Sequence, residues 1–127
     1  MSGDIMHIGF KGRVALVSGA TRGIGKQIAA DLGRQGAELI LTGTDPEEIA
    51  ALNHASRRRK PTCHWRAVDF TRDESVASFL EELGRYRRID VCVNNAGINR
   101  INSIDEIPFK DWQNILRVNL DGPFLVT

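Results

Sequence analysis

Residues 18–25, Ser-Gly-Ala-Thr-Arg-Gly-Ile-Gly, place three glycines between the apolar run 14–17 and a helical pattern that continues through residues 28–32. Glycine lets the backbone turn tightly and approach a bound group closely. The free N–H groups and the dipole of a helix N-terminus favour negative charge. Turns need glycine in any case, so the argument depends on the strand–loop–helix context. The segment is predicted to bind the pyrophosphate of a dinucleotide.

The elements around this loop follow a regular alternation of strand-length apolar runs and helical patterns. Such alternation is typical of right-handed βαβ units in a parallel sheet. The pattern predicts strands near residues 13–18, 38–42, 63–69 and 89–94, and helices near 24–35, 46–55, 73–86 and 108–127. Asp45 before Pro46 is expected to cap a helix, and a capping box is expected at Thr71. Gly36 and Gly84 stand where helix C-caps are expected.

This order of elements predicts an α/β, Rossmann-type, doubly wound parallel sheet with strand order 3-2-1-4. Ligands of such sheets bind at the carboxyl ends of the strands, where the order reverses, here between strands 1 and 4. A polar segment at the end of strand 4 is thereby placed beside the glycine loop: Asn94, Asn95, Ala96 and Gly97. Adjacent asparagines are also ordinary turn residues. Their predicted position favours a functional role.

Composition restricts the classes of function. The chain has 127 residues, 42% of them hydrophobic, which is enough for the core of one domain or of part of one. A formal net charge of +1 gives no overall electrostatic case for nucleic acid or an anionic membrane, and the basic run 57–60 is interpreted as a solvated loop. No apolar run approaches the roughly 20 residues of a membrane span. Residues 1–7 lack the pattern of a secretion signal, so we expect a cytoplasmic protein.

The side chains most often used as metal ligands show no ligand pattern. Cys63 and Cys92 lie in strand-like apolar runs and are predicted to be small buried thiols of a reducing compartment. The three histidines lack ligand spacing. We therefore predict neither a metal site nor a redox site.

Three motifs together resemble the short-chain dehydrogenase/reductase family in its compact, single-domain form. They are Gly19-x-x-x-Gly23-x-Gly25, Asn94-Asn95-Ala96-Gly97, and residues 118–124 with the sequence Val-Asn-Leu-Asp-Gly-Pro-Phe. The resemblance runs from about residue 11 to residue 127. Ser18 stands where the family usually has threonine, so a short hydroxyl is retained. Family members continue for about as many residues again, and their catalytic serine and Tyr-x-x-x-Lys lie there. Residues 1–127 are thus expected to be the N-terminal half of a single dinucleotide-binding domain.

The resemblance implies a role for individual residues. The set expected to hold the adenosine and pyrophosphate of the cofactor is Gly19, Thr21, Arg22, Gly23, Ile24 and Gly25. Asp69 matches the acid that hydrogen-bonds the adenine amino group, and Phe70 beside it belongs to the same cofactor-binding set. A strand-end turn is the alternative role of Asp69. The segment Asn95, Ala96 and Gly97 matches the one that supports the cofactor and the centre of the sheet.

The end of the second strand favours NADP(H) over NAD(H). An NAD site normally has a carboxylate here, which accepts a hydrogen bond from the ribose 2′-hydroxyl and repels a 2′-phosphate. Gly43 stands where family NAD enzymes carry that acid. Thr44 can donate to a phosphate, and Arg22 can pair with it. Asp45 lies one or two positions further on and is interpreted as a helix N-cap.

Asn119 is the catalytic candidate of this chain. It shares helical spacing with Trp112, Ile115, Leu116 and Leu120. The spacing predicts that Asn119 lies on or beside a buried stripe, where its amide must find partners. Pro123, four residues later, has no N–H, so the Asn119 carbonyl stays free to bind water if the helix continues. The resemblance matches Asn119 to the asparagine of an Asn-Ser-Tyr-Lys set, which holds a proton-relay water. A locally satisfied helix kink is the alternative.

The resemblance implies an oxidoreductase that transfers a hydride between NADP(H) and a carbonyl or secondary-alcohol substrate in the complete protein. Ketoacyl thioesters, sugars and secondary alcohols all fit, and a role like that of 3-oxoacyl-carrier-protein reductases is favoured. A non-catalytic dinucleotide-binding module is the alternative. Tyr86 is the only tyrosine, and Asp90 rather than lysine follows four residues later. Residues 1–127 alone are thus expected to be inactive, because they lack an acid–base group. The last helix would expose one apolar side, so a homodimer or homotetramer is expected.

Overall fold

The computed structural model describes residues 8–127, in which strands and helices alternate as the pattern predicts. Residues 1–7, which carry the prediction about secretion, lie outside the described range. The elements in chain order are β1 (Val14–Val17), α1 (Gly23–Arg34), β2 (Glu38–Gly43), α2 (Pro46–Ser56), β3 (Cys63–Ala67), α3 (Asp73–Leu83), β4 (Val91–Val93), α4 (Phe109–Leu116), a π-helical segment (Arg117–Asp121) and α5 (Gly122–Val126).

The four strands form one parallel sheet in the order β3-β2-β1-β4, which confirms the predicted order 3-2-1-4. In the register of this sheet, Leu16 of β1 lies between Ile40 of β2 and Cys92 of β4. The order reverses between β1 and β4. The carboxyl ends of these two strands therefore meet at the edge where a ligand is expected.

Apolar side chains fill both faces of the sheet because neighbouring residues of a strand point to opposite sides. On one face, Ala15 and Val17 of β1 belong to a buried cluster that includes Ala29 of α1 and Ile49 of α2. On the other face, Leu16 belongs to a second buried cluster with members from α3 and from the π-helical segment. Strand β1 is buried on both sides and is therefore the rigid centre to which the glycine loop is attached.

Most helix ends follow the local signals of the sequence. The Asp45 carboxylate accepts hydrogen bonds from two N–H groups of the first turn of α2, as expected of an N-cap. Gly36 follows α1 with φ +94°, a conformation that favours glycine. The capping box expected at Thr71 is wrong: Arg72 precedes α3 and makes no side-chain cap. The Thr71 hydroxyl instead donates to the Asp69 carboxylate at 2.6 Å.

The helix predicted over residues 108–127 is divided into α4, a π-helical segment and α5. The N–H of Gly122 donates to the carbonyl of Arg117, five residues earlier, instead of four. Pro123 has no N–H that could donate to the Asn119 carbonyl four residues earlier. The α-helical pattern of hydrogen bonds is therefore interrupted at this residue. Single-turn π-helices inside α-helices are frequent at functional sites.

The two thiols are less buried than predicted. Cys63 is half-buried and Cys92 is exposed. Cys92 lies on β4, which pairs only with β1 among the strands described. Partial burial raises the pKa of both thiols, which disfavours the thiolate. The prediction that Cys92 is buried is wrong, because an apolar neighbourhood in sequence does not guarantee that another element covers it.

Candidate functional site

The three glycines of the loop after β1 are required for two geometric reasons. Gly19 and Gly23 have φ +64° and +58°, in the left-handed region that side chains disfavour. Gly25 is buried in the first turn of α1. A Cβ atom there would lie 2.3 Å from the Gly19 oxygen and 2.4 Å from Nδ2 of Asn95. The third glycine therefore allows the helix to lie directly against both the loop and the end of β4.

The Ser18 hydroxyl and the Asn95 amide join the end of β1 to the end of β4. Ser18 Oγ accepts hydrogen bonds from the N–H groups of Asn95 at 3.0 Å and Ala96 at 2.9 Å. Nδ2 of Asn95 donates to the carbonyl oxygens of Ser18 at 3.1 Å and Gly19 at 3.0 Å. The structure thus brings together the two segments that the sequence placed side by side. The side chains of Ser18 and Asn95 therefore hold the glycine loop against the end of β4.

Thr42 holds the loop from the side of β2. Its hydroxyl accepts from the N–H of Gly19 at 3.1 Å, and its carbonyl accepts from the N–H of Ala20 at 2.8 Å. Ser18 and Thr42 are 4% and 1% exposed, and both were missed as site residues. A lone hydroxyl residue at the end of an apolar strand is the signal that identifies them, because a buried hydroxyl needs a hydrogen-bond partner.

Gly43, the position from which the sequence predicted the choice of cofactor, is buried and tightly surrounded. A Cβ atom at Gly43 would lie 2.5 Å from Cγ2 of Thr21 and 3.0 Å from Cδ1 of Ile49. Thr44, the next residue, is exposed. A side chain at position 43 would therefore have to displace the side chains of Thr21 and Ile49. The end of β2 presents a hydroxyl residue to solvent directly after it.

The first turn of α1 combines an exposed cation, an exposed apolar side chain and an uncompensated helix dipole. Arg22, at the N-cap, has extended backbone angles, and its side chain forms no ion pair with residues 8–127. Ile24 is 75% exposed. No acidic residue stands in this turn, so nothing offsets the positive end of the helix. This arrangement suits an anionic ligand that also has an apolar or aromatic part.

The segment between β3 and α3, residues 68–72, is here called the β3 loop, and it contains Asp69 and Phe70. Oδ1 of Asp69 accepts from the N–H and the hydroxyl of Thr71, at 2.9 and 2.6 Å. The Asp69 N–H donates to Ser75 Oγ at 2.9 Å. These bonds form the strand-end turn that was the alternative role of Asp69, and they fix the carboxylate in one orientation.

The Phe70 side chain belongs to the core. It is 5% exposed and packs edge-to-face on Phe79, with 6.5 Å between ring centroids. A cofactor cannot touch this ring without displacing the core. Any role of Phe70 in cofactor binding is therefore restricted to its backbone, a restriction that the sequence did not reveal.

Asn119 lies in the π-helical segment and is exposed, contrary to the predicted buried stripe. Its Oδ1 accepts from the Ile98 N–H at 2.8 Å, and its Nδ2 donates to the Ile98 carbonyl at 2.9 Å. Val118 and Gly122 are the buried residues here. Trp112 and Leu116 of the predicted stripe, which precede the π-helical segment, are themselves exposed, so no described element covers that face. The Asn119 side chain braces the segment that follows β4, and its backbone carbonyl receives no bond from Pro123.

Tyr86 is unsuited to acid–base chemistry. It packs against the cluster beneath α3, where its hydroxyl accepts a hydrogen bond from Arg66 at 3.2 Å. Burial raises the pKa of Tyr86, which makes proton release near neutral pH harder. Within residues 8–127, no three histidine, cysteine, aspartate or glutamate side chains gather where they could hold a metal ion. Each helix in the same range is too short or too polar to cross a bilayer.

The parallel sheet, the reversal of strand order between β1 and β4, and the glycine loop that enters α1 at that point define a Rossmann-type, dinucleotide-binding class of fold. The family model for short chain dehydrogenases matches residues 13–127. The chain belongs to this family.

Similar proteins support the same assignment. The 3-oxoacyl-acyl-carrier-protein reductase of Aquifex aeolicus is 38% identical over 124 residues, which are 96% of this chain and 50% of that protein. A metagenomic short-chain oxidoreductase solved with NADP is 34% identical, with a TM-score of 0.79 over 92% of this chain and 54% of that one. A gluconate 5-dehydrogenase of Burkholderia cenocepacia, solved with NADP and tartrate, is 34% identical. Its TM-score is 0.79 over 93% of this chain and 47% of that one. The chain spans about half the length of the relatives it matches.

Proposed function

We propose that the complete protein is an oxidoreductase that transfers a hydride between NADP(H) and a carbonyl or secondary-alcohol substrate. The observation that carries this proposal is the glycine loop, which Ser18, Thr42 and Asn95 hold open at the reversal point of the sheet. Relatives named as reductases or dehydrogenases support it. When bound, the nicotinamide supplies the hydride chemistry, and the protein orients it. We also propose that residues 1–127 form the N-terminal half of one such domain.

The residues proposed to hold the cofactor surround the loop. Backbone N–H groups at the start of α1 bind the pyrophosphate, aided by the left-handed turns at Gly19 and Gly23. Ile24 covers the adenosine from the exposed side. The Asp69 carboxylate receives the adenine amino group through its second oxygen, since the first is engaged by Thr71. The other members of the set are Thr21, Gly25, the backbone of Phe70, Asn95, Ala96 and Gly97.

The preference for NADP(H) is proposed to come from the end of β2 and from Arg22. Position 43 is glycine and carries no carboxylate, so no charge at that position repels a 2′-phosphate. Thr44 is exposed beside it and can donate to the phosphate, and the exposed Arg22 guanidinium can pair with it. The two solved relatives described above carry NADP.

Asn119 is proposed to support proton transfer through its backbone carbonyl, which receives no hydrogen bond from Pro123 because proline lacks an N–H. Its side chain holds Ile98 through two hydrogen bonds and so fixes the wall of the site after β4. In this arrangement the Asn119 side chain positions the segment that follows β4, and the Asn119 carbonyl binds the water that passes protons. The proton donor itself is proposed to lie in the part of the complete protein outside residues 1–127.

For the substrate we propose a carbonyl compound or the corresponding alcohol, with a 3-oxoacyl thioester favoured. The reductase from Aquifex aeolicus and the gluconate 5-dehydrogenase differ in substrate while resembling the same half-domain. We further propose a homodimer or homotetramer in the cytoplasm, without nucleic-acid or membrane partners. The apolar residues Trp112, Leu120 and Phe124 are 48%, 63% and 81% exposed, and a second subunit would bury them.

A titration followed by a turnover assay tests the proposed function. NADPH and NADH are titrated into the complete protein, and NADPH is expected to bind more tightly. Oxidation of NADPH in the presence of a 3-oxoacyl thioester is then expected. Tight binding without turnover of any carbonyl substrate would instead support a non-catalytic dinucleotide-binding module. Failure of both cofactors to bind would contradict the proposed function.

A further inference from the structure

The guanidinium of Arg117 joins three parts of the fold. Its Nε donates to the Phe70 carbonyl oxygen at 3.2 Å, and Nη2 pairs with the carboxylate of Asp73 at the start of α3. Nη1 lies 3.8 Å from Oδ2 of Asp121. Arg117 is also the first residue of the π-helical segment, which carries Asn119. One side chain therefore ties the β3 loop to the segment proposed to support proton transfer.

Gly122 makes a second contact between the same two parts. It follows the last residue of the π-helical segment, and a Cβ atom there would lie 3.1 Å from Cδ1 of Phe70. Its N–H donates to the Arg117 carbonyl. Phe70 is thus held at its carbonyl by Arg117 and at its ring by Gly122. Because packed interiors resist local deformation, the β3 loop and the π-helical segment are coupled mechanically.

We propose that Arg117 is a positioning residue that transmits occupancy of the adenine end of the cofactor site to the π-helical segment. The path runs from Asp69 and Phe70 through Arg117 to Asn119, and from there to Ile98. This inference rests on the proposed function, because it requires that the β3 loop receives the adenine end of NADP(H). Its consequence is that binding at the adenine end lowers the rate of local opening in the π-helical segment.

Arginine is suited to this task because its planar fork donates in several directions at once. A lysine in its place keeps the charge, but its single nitrogen lacks the two separate nitrogens, Nε and Nη2, with which Arg117 reaches the Phe70 carbonyl and the Asp73 carboxylate. The Asp73 side chain is 86% exposed, so this ion pair contributes little. The bond to the Phe70 carbonyl is the essential one, and the Asp73 pair provides a matched control.

A second route of coupling connects the glycine loop with Asn119, and the experiment must distinguish it from the route through Arg117. Asn95 bonds the Gly19 carbonyl and lies three residues before Ile98, which Asn119 holds. This second route starts at the glycine loop and does not contain Arg117. A substitution of Arg117 therefore distinguishes the two routes.

The test measures amide hydrogen exchange by mass spectrometry on the complete protein, with and without adenosine 2′,5′-bisphosphate. This probe carries adenine and a 2′-phosphate but no nicotinamide. In the unsubstituted protein we expect exchange to slow by at least about threefold in the β3 loop and also in residues 117–122. In Arg117→Lys and Arg117→Gln, protection of the β3 loop is expected without protection of 117–122. Asp73→Asn is expected to behave like the unsubstituted protein.

Kinetics supply a second readout that a purely structural role would not produce. Arg117→Lys is expected to lower kcat at saturating NADPH, while the KM for NADPH changes by less than about threefold. Protection of residues 117–122 that persists in both Arg117 variants would overturn the coupling and assign it to the Asn95 route. An unsubstituted protein whose residues 117–122 do not respond to the probe would overturn it as well. If neither NADPH nor the probe protects residues 18–25, the proposed cofactor site fails, and the coupling fails with it.

Discussion

The substitution Gly25→Ala tests whether the loop depends on direct contact between α1 and the end of β4. The new Cβ atom would lie 2.3 Å from the Gly19 oxygen and 2.4 Å from Nδ2 of Asn95. Both neighbours are fixed, one as backbone and the other by its bonds to Ser18 and Gly19. Both of them, or the helix itself, must move by about 1 Å to restore ordinary contact distances, which the close packing of the interior resists.

The expected cost follows from three contributions. Overpacking of this kind costs about 2 kcal/mol. Loss of the two Asn95 hydrogen bonds adds about 2 kcal/mol. Alanine in a helix is more favourable than glycine by about 1 kcal/mol, which offsets part of this cost. The net loss in the free energy of unfolding is about 3 kcal/mol, or roughly two orders of magnitude in the folding equilibrium.

Gly33→Ala is the matched control, because Gly33 lies on the same helix. Its added Cβ atom would lie 3.2 Å from the end of the Leu39 side chain, which can adjust. Urea denaturation measures the free energy of unfolding of both variants, and NADPH titration measures their affinity. Gly25→Ala is expected to lose stability and cofactor affinity together, while Gly33→Ala stays close to the unsubstituted protein. A Gly25→Ala variant with unchanged stability and affinity would refute the reasoning.

Four further outcomes are expected. Arg22→Ala should weaken NADPH binding by about tenfold but change NADH binding little, because an exposed phosphate–arginine pair contributes about 1.4 kcal/mol; equal losses in two parallel titrations would contradict this. Asn119→Ala should lower kcat while cofactor affinity stays within about tenfold, and unchanged turnover would favour the plain helix kink. The pKa of Asp90 is lowered to about 2, first by its hydrogen bond from Arg88 and then by that from the Val14 N–H. Since this carboxyl has a lower pKa in the folded state than its ordinary 3.8, its stabilisation is present above about pH 4 and is lost as the pH falls towards 2. Melting temperatures of the unsubstituted protein and Asp90→Asn should therefore differ at pH 7 and converge near pH 2. Plots of melting temperature against pH that stay parallel would contradict a stabilising role of the Asp90 carboxylate. Residues 1–127 expressed alone should show no NADPH oxidation and should associate in sedimentation, and a monomer that turns over NADPH would exclude this.

The sheet order and the glycine loop were predictable because their signals are local and mutually consistent. Glycine, proline or a capping residue stands at several of the boundaries between elements, and the alternation of strands with helices leaves few parallel topologies. The meeting of the loop with Asn95 follows from the strand order alone. No chemistry of the individual side chain was needed for this step.

The features that sequence reasoning missed depend on packing between distant parts of the chain. Phe70 follows a predicted ligand residue, but its ring fills the space beside Phe79 and Gly122. The face that helical spacing predicted to be buried is exposed at Trp112 and Leu116, before the π-helical segment, and at Asn119 within it, whose amide pairs with Ile98. Helical periodicity identifies a shared apolar face, but it does not say whether another element covers that face.

The Ser18 hydroxyl has a consequence for the order in which the site is made during protein synthesis. Thr42, which holds one side of the loop, lies only 23 residues from Gly19 along the chain. Asn95 and Ala96, which hold the other side, lie 77 and 78 residues from Ser18. A nascent chain can therefore form the β1–β2 side early, but it must wait for β4 to leave the ribosome before the loop is closed. Pairing over such distances is slow, so a growing chain presents an unfinished glycine loop throughout the synthesis of the residues between Ser18 and Asn95.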